Sequence, residues 1–358
     1  MKAFSRSFVA LFSLFLLSCG SSSGIDPHLS LEEQQEATEI NLVGKWKIRP
    51  PQPLGTSNKF ALPSDCAIDE IEFFEDGDYI LAVSITDSEG EEMSKIFRGK
   101  YDLLFIEDGE DFLLEKIVLM GQNYVTNNNF PAVGTIATID QIELTDTAVS
   151  FRMQLGEGTN EFCNTGQTLD LSGDKEEKVA PEAEEDSNHF LIQNEWRFVS
   201  VTATADNPDA PINGEILCEL FEGEFFDRCY DETTGELSSN CPQANTVTLL
   251  ISGYGTYLFS YYDINENLLS TEQGDWRWRT DTTEEYTIFE VKSPDETFEE
   301  SDIRINIVQV SEVALQLSET QNDPDYGEQT LVYSLQLASL PYQDPACGDF
   351  STHNVEGN

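Results

Sequence analysis

The sequence predicts an all-β protein: two antiparallel β-barrel or meander domains in tandem, preceded by a flexible tether. Apolar residues alternate with polar ones at period two in both halves of the chain, as in strands with one face in a core and one in water. No long helical stripe separates these runs, which argues against parallel βαβ architecture. The halves also resemble each other, each opening on a Trp and continuing through similar glycine and aromatic spacings.

The first residues read as an address. Lys2 and Arg6 form a basic region, and Phe8 to Leu17 is an apolar run about half the length that a membrane-spanning helix needs. Leu16-Leu17-Ser18-Cys19 then resembles the lipobox of bacterial lipoproteins. The resemblance implies removal of residues 1–18 and acylation of Cys19, with at least two chains for stable anchoring. Gly20, rather than Asp, after the cysteine implies the outer membrane, on either the periplasmic or the surface face. Residues 19–40 read as a tether: Gly20 to Gly24 has linker composition. Ser30 and Glu33 match a capping box ahead of a short helix over Leu31 to Ile40, expected as a solvated stalk.

Residues 41–172 form the first expected domain. Tyr79, Leu81, Val83 and Ile85 recur at every second position, as do Val149, Phe151, Met153 and Leu155. Residues 173–188 are crowded with Asp and Glu around Pro181 and are expected to be an extended acidic linker. Residues 189–350 form the second expected domain, and residues 351–358 a tail. Its strands include Ile303, Ile305 and Ile307, then Val313, Leu315 and Leu317, then Leu331, Tyr333, Leu335 and Leu337.

The repeat can be traced residue by residue. Gly44-Lys45-Trp46 corresponds to Asn194-Glu195-Trp196, Gly77-Asp78-Tyr79 to Gly255-Thr256-Tyr257, and Gly99-Lys100-Tyr101 to Gly274-Asp275-Trp276. Gly77 and Gly255 suit hairpin turns with positive φ, and each early Trp suits a plug at one barrel end. Gly-x-Trp, Phe-x-x-Gly-x-Tyr and Gly-x-aromatic in this order resemble the lipocalin-like domains of many bacterial lipoproteins. In the second copy Asn194 replaces the glycine, and the Trp-to-Gly spacing is 59 residues (196 to 255) against 31 (46 to 77). The difference of 28 marks an insertion at about 205–243. The resemblance also implies an Arg from the last strand over the Trp, a role for Arg152 in the first domain, with only the poorly placed Arg304 available in the second.

Seven cysteines are present. With Cys19 lipidated, Cys66, Cys163, Cys218, Cys229, Cys241 and Cys347 remain, in a compartment where disulfides persist. Six cysteines allow fifteen connectivities. Cys66 and Cys163 pair if the domains do not exchange bridges; by analogy Cys241 is expected with Cys347, leaving Cys218 with Cys229.

Charge and motif content limit the function. With 67 acidic against 19 basic residues the net charge is −48, which excludes nucleic acid as a partner. His28, His189 and His353 all fall outside the expected barrels, so no His-based triad or metal site is assigned. No hydrolase, metalloprotease or nucleotide motif is present, and no catalytic residue or cofactor is expected. Asp263 to Asn267 carries alternating oxygen ligands but lacks the glycine and glutamate of a calcium loop, so a polar hairpin tip is expected. Arg277 and Arg279 are expected to meet nearby acids such as Asp275 and Asp281, the alternative being an anionic group of a ligand. Tyr257, Phe259, Tyr261, Trp276 and Trp278 lie on neighbouring strands and line a ligand cavity if the second barrel is open, or form core if it is filled. The expectation is a non-catalytic envelope lipoprotein that holds a small apolar ligand or binds another envelope protein. The alternatives are an acidic structural protein that weakly collects divalent cations, and a carboxylate-based hydrolase.

Overall fold

The computed structural model describes residues 30–49, 66–341 and 347, except for 87–91, 109–110, 122–123, 126–130, 133, 160–162, 164–165, 181–186, 208–212, 232–233, 235, 238–240, 280–285, 295, 302 and 324–326. The lipobox and the tail therefore lie outside the described residues. Among the described residues no helix is long and apolar enough to cross a membrane.

Two closed eight-stranded antiparallel barrels follow one another, built from the alternating strands. Barrel one comprises β1 (Gly44–Arg49), β2 (Ala67–Phe73), β3 (Asp78–Thr86), β4 (Glu92–Asp108), β5 (Asp111–Gly121), β6 (Thr135–Leu144), β7 (Ala148–Leu155) and β8 (Thr168–Lys175). Each strand pairs with the next, and β8 closes onto β1 with Trp46 opposite Lys175. Barrel two comprises β9 (Glu195–Ala205), β10 (Thr246–Ile251), β11 (Thr256–Tyr262), β12 (Leu268–Trp278), β13 (Ile288–Lys292), β14 (Arg304–Val310), β15 (Ala314–Asp323) and β16 (Gly327–Leu337). Its order is the same simple meander, closed by β16 on β9.

The repeat has physical content. A helix precedes each first strand: α1 (Leu31–Leu42) and α2 (Asn188–Ile192). The Trp46 indole donates to the Leu42 carbonyl at 2.8 Å, and the Trp196 indole donates to the Ile192 carbonyl at 2.9 Å. Both rings are fully buried, so each needs such an acceptor. Gly77 and Gly255 have φ of +82° and +85°, the left-handed geometry that a side chain resists. Tyr79 lies opposite Gly99, and Tyr257 opposite Gly274. A Cβ on Gly274 would collide with the Tyr257 ring, so the Gly-x-aromatic motif makes room for the tyrosine of the neighbouring strand.

Several expectations are corrected. The stalk helix is docked: Gln34, Thr38 and Leu42, four residues apart, are buried. Two polar side chains in that stripe hid it, and Thr38 satisfies its hydroxyl on the Gln34 carbonyl at 2.9 Å. The acidic linker expected from residue 173 begins inside β8. Beyond the strand, the Glu176 amide donates to the Lys45 carbonyl and the Val179 amide to the Gly253 carbonyl, which pins residues 176–179. Lys175, rather than Arg152, lies over the Trp46 ring, 5.0 Å from its centroid. Arg152 points outward, 3.2 Å from Asp170, because β7 alternation puts it opposite Phe151 and Met153. Arg304 is exposed on β14. Arg277 meets Glu290 at 3.1 Å, because Asp275 is held instead by Lys45 and Lys292.

Cys66 joins Cys163. In the second domain the pairs are Cys218–Cys347 and Cys229–Cys241, not the expected ones. The reason is α3 (Leu217–Cys229), which occupies the insertion. A helix of this length sets its two cysteines too far apart to pair.

The barrels dock side by side. Ile80, Ala82 and Ile96 of barrel one pack on Leu258 of barrel two. Arg98 grips the Glu195 carboxylate with two nitrogens, at 2.9 and 3.2 Å, and reaches the Ser260 hydroxyl at 2.9 Å. Burial alone would favour neutral groups, but Arg98 and Thr248 hold the Glu195 carboxyl below its ordinary range. Lys45 bridges Glu70 and Asp275 across the same seam, each at 3.1 Å.

Candidate ligand-binding site

Barrel two encloses a cavity of about 470 Å³, within the size range of small-molecule sites. Strand alternation builds it. On β11, Leu258, Ser260 and Tyr262 face outward, where Leu258 and Ser260 meet barrel one and are fully buried. Tyr257, Phe259 and Tyr261 face inward, yet they are only half-buried because the interior is hollow.

Four of the five expected aromatic residues line this space: Tyr257, Phe259, Tyr261 and Trp276. Trp278 does not. It sits beneath the cavity, and its indole donates to Nδ1 of His189 at 2.7 Å. His189, expected outside the barrels, is buried at their seam among Trp276, Trp278 and Tyr286. The helix α2 brings it there as part of the plug that ends in Trp196. Burial, with Lys178 nearby, pushes the imidazole down to about 4, so it is neutral near pH 7. Trp276 closes the floor, donating to the Ser252 carbonyl at 3.0 Å. Phe198, Leu249, Ile251, Phe289 and Leu317 make the walls apolar.

The other end is different. The register that places Trp276 at the floor puts Ser270 and Tyr261 near the mouth. There α3 lies across the barrel, burying Leu217, Phe221, Phe225 and Cys229 along one stripe. Its Glu219, Leu220, Gly223, Glu224 and Asp227 border the cavity. The Glu224 carboxylate accepts from the Ser270 hydroxyl and lies 3.5 Å from Arg228. Glu272 projects inward from β12, on the same face as Trp276. Burial, then the Glu224 and Asp227 charges, raise the Glu272 carboxyl above its ordinary range. Burial also raises Glu224, with Asp227 adding to it. Burial and the charge of Glu272 raise Tyr257, to about 12, and Tyr261, so both phenols stay protonated. Tyr333 donates to Glu319 at 2.9 Å.

The acidic mouth was missed by sequence reasoning because the insertion has no strand pattern. The Leu217, Phe221, Phe225 spacing of four was the available signal.

Asp263 is not a free cation ligand. Its carboxylate accepts from the amides of Asn265 and Asn267, each at 2.8 Å, and so closes its own hairpin tip. Among the described residues no group of three or more His, Cys, Asp or Glu is placed to hold a metal ion. A second cavity, of about 520 Å³, lies at the seam and is lined by polar groups including Glu72, Arg98 and Glu195.

No family model matches this sequence, and no curated protein does. Solved structures with some likeness include bovine odorant-binding protein in complex with a selenium-containing odorant, at 13% identity and TM-score 0.23, covering 45% of this chain and 80% of that one. Lobster apocrustacyanin A1 follows at 8% identity and TM-score 0.21, covering 43% and 66%. A transferrin-binding protein B variant from Haemophilus parasuis has 8% identity and TM-score 0.20, covering 75% of this chain and 53% of that one. These superpositions are too loose to carry a functional argument.

Proposed function

We propose that this chain is a non-catalytic binding module of a bacterial cell envelope, held at the outer membrane by acyl chains on Cys19, that carries one small, largely apolar ligand inside barrel two. The observation behind the ligand is the 470 Å³ cavity with an apolar floor and walls. A barrel interior left unfilled forfeits packing that a core would gain, and an occupant recovers it. The Leu16 to Cys19 motif supports the anchor, and Gly20 the outer membrane.

Native mass spectrometry of the protein extracted from its own envelope tests both parts. The expected result is a chain beginning at Cys19 with at least two acyl groups, and one small molecule per chain released by organic solvent. An unmodified N-terminus would overturn the anchor. Absence of any small molecule, together with failure of the purified protein to take up a hydrophobic fluorescent probe, would overturn the ligand.

A further inference from the structure

The geometry points to an organic cation as the occupant of barrel two: an apolar body seated on Trp276, with its positive group at the carboxylates of the α3 mouth. This rests on the ligand-carrying reading above and names the class of ligand.

Polarity is sorted along the barrel axis. Trp276, Ile251 and Phe289 lie at the closed end, whereas Glu219, Glu224, Asp227 and Glu272 gather at the other. These four acids come from two elements far apart in sequence, α3 and β12, and converge because the helix crosses the barrel mouth; a fifth lining acid, Glu319 on β15, accepts a hydrogen bond from Tyr333. No lysine, arginine or histidine is among the described residues that line the cavity. Arg228 neutralises one acid from outside, pairing with Glu224. Glu219, Asp227 and Glu272 are exposed at the mouth, where acids gathered over an apolar cavity focus a negative potential. An anionic head group would be repelled there, and a neutral one would leave the repulsion between acids in place. A cation relieves it. The Tyr261 and Tyr257 rings beside these acids add the ring faces that cations favour.

Competition binding on the full chain decides it. The protein is loaded with neutral N-phenyl-1-naphthylamine and titrated, below micelle-forming concentrations, with decyltrimethylammonium, decan-1-ol and decanoate. The cation is expected to displace the probe about tenfold or more tightly than the alcohol, and decanoate least well. In Asp227→Asn/Glu272→Gln, and independently in Glu219→Gln/Glu272→Gln, the preference for the cation over the alcohol should collapse to about twofold. Glu176→Gln/Glu177→Gln removes the same charge from exposed positions outside the barrel and should keep the preference. Equal affinity for alcohol and cation would overturn the cation while leaving the cavity occupied. An equal loss in the exterior variant would overturn it too, assigning the preference to net charge. No probe uptake at all would overturn both this inference and the ligand-carrying function.

Discussion

Glu72 is fully buried at the seam between the barrels. Burial pushes its carboxyl up to about 7, against the opposing pull of Lys45 and the Ser252 and Thr256 hydroxyls. Because the folded value lies above the unfolded one, the fold is favoured below pH 4.5 and that contribution is lost as pH rises through 7. Glu72→Gln should therefore raise the melting midpoint by several degrees at pH 8, roughly 1–3 kcal/mol, and change it little at pH 4. Equal effects at both pH values would contradict this. His189 works in the opposite sense. Its folded value, about 4, lies below the unfolded 6.5, so its contribution is whole above 6.5 and lost as pH falls through 4. His189→Gln keeps an acceptor for the Trp278 indole and should flatten the stability profile between pH 6.5 and 4 in denaturant titrations. His189 shows what a single sequence conceals: nothing about its neighbours in the chain announces the three aromatic rings that enclose it.

At the scale of elements, the legible features were those with a local cause. A glycine that must take positive φ in a turn is written into a few residues, and Gly77 and Gly255 were accessible for that reason. The Tyr257–Gly274 pairing was not, because it depends on the register between two strands. Gly274→Ala should cost about 1–3 kcal/mol, because the added methyl meets the Tyr257 ring and the Lys292 carbonyl. A melting midpoint unchanged by this substitution would refute the pairing's role. The helix α3 was not legible. Its buried stripe is one residue wide, its other faces mix acids with Leu220 and Phe226, and it lies within an insertion that the repeat does not describe. The disulfides were misassigned with it, since only the helix reveals that Cys218 pairs with the distant Cys347 while Cys229 pairs locally with Cys241. Cys218→Ser/Cys347→Ser opens a crosslink spanning 129 residues, worth up to about 5 kcal/mol in the chain-entropy model. The double variant should melt lower and release bound probe faster in stopped-flow measurements, since α3 loses the anchor at its first turn.

For the whole molecule, the strands predicted the two barrels but not their union. The outward residues Ile80, Ala82 and Leu258 look like ordinary strand alternation failing, when in fact they face the neighbouring barrel. The linker likewise read as a spacer because its own charges gave no hint of the seam that holds it. Arg98 and Glu195 make the seam specific. Arg98→Leu leaves a buried carboxylate unpaired, at a cost of about 3–5 kcal/mol, whereas Arg98→Leu with Glu195→Gln should recover much of the loss. Additive losses in that double-mutant cycle would show that the two groups act separately. The net charge of −48 sets a background of self-repulsion over the whole surface, so added NaCl should raise the melting midpoint by screening it.

The central claim is that barrel two, hollow and closed at one end by Trp276, is the site of binding. Its most direct test is the stoichiometry of a neutral hydrophobic probe, measured by fluorescence titration on the intact chain and on Leu317→Trp, which fills the cavity from its wall. One probe per chain, abolished in the filled variant while its cooperative melting is retained, is the expected result. Binding that survives the filling, or no binding to the intact chain, would contradict the account.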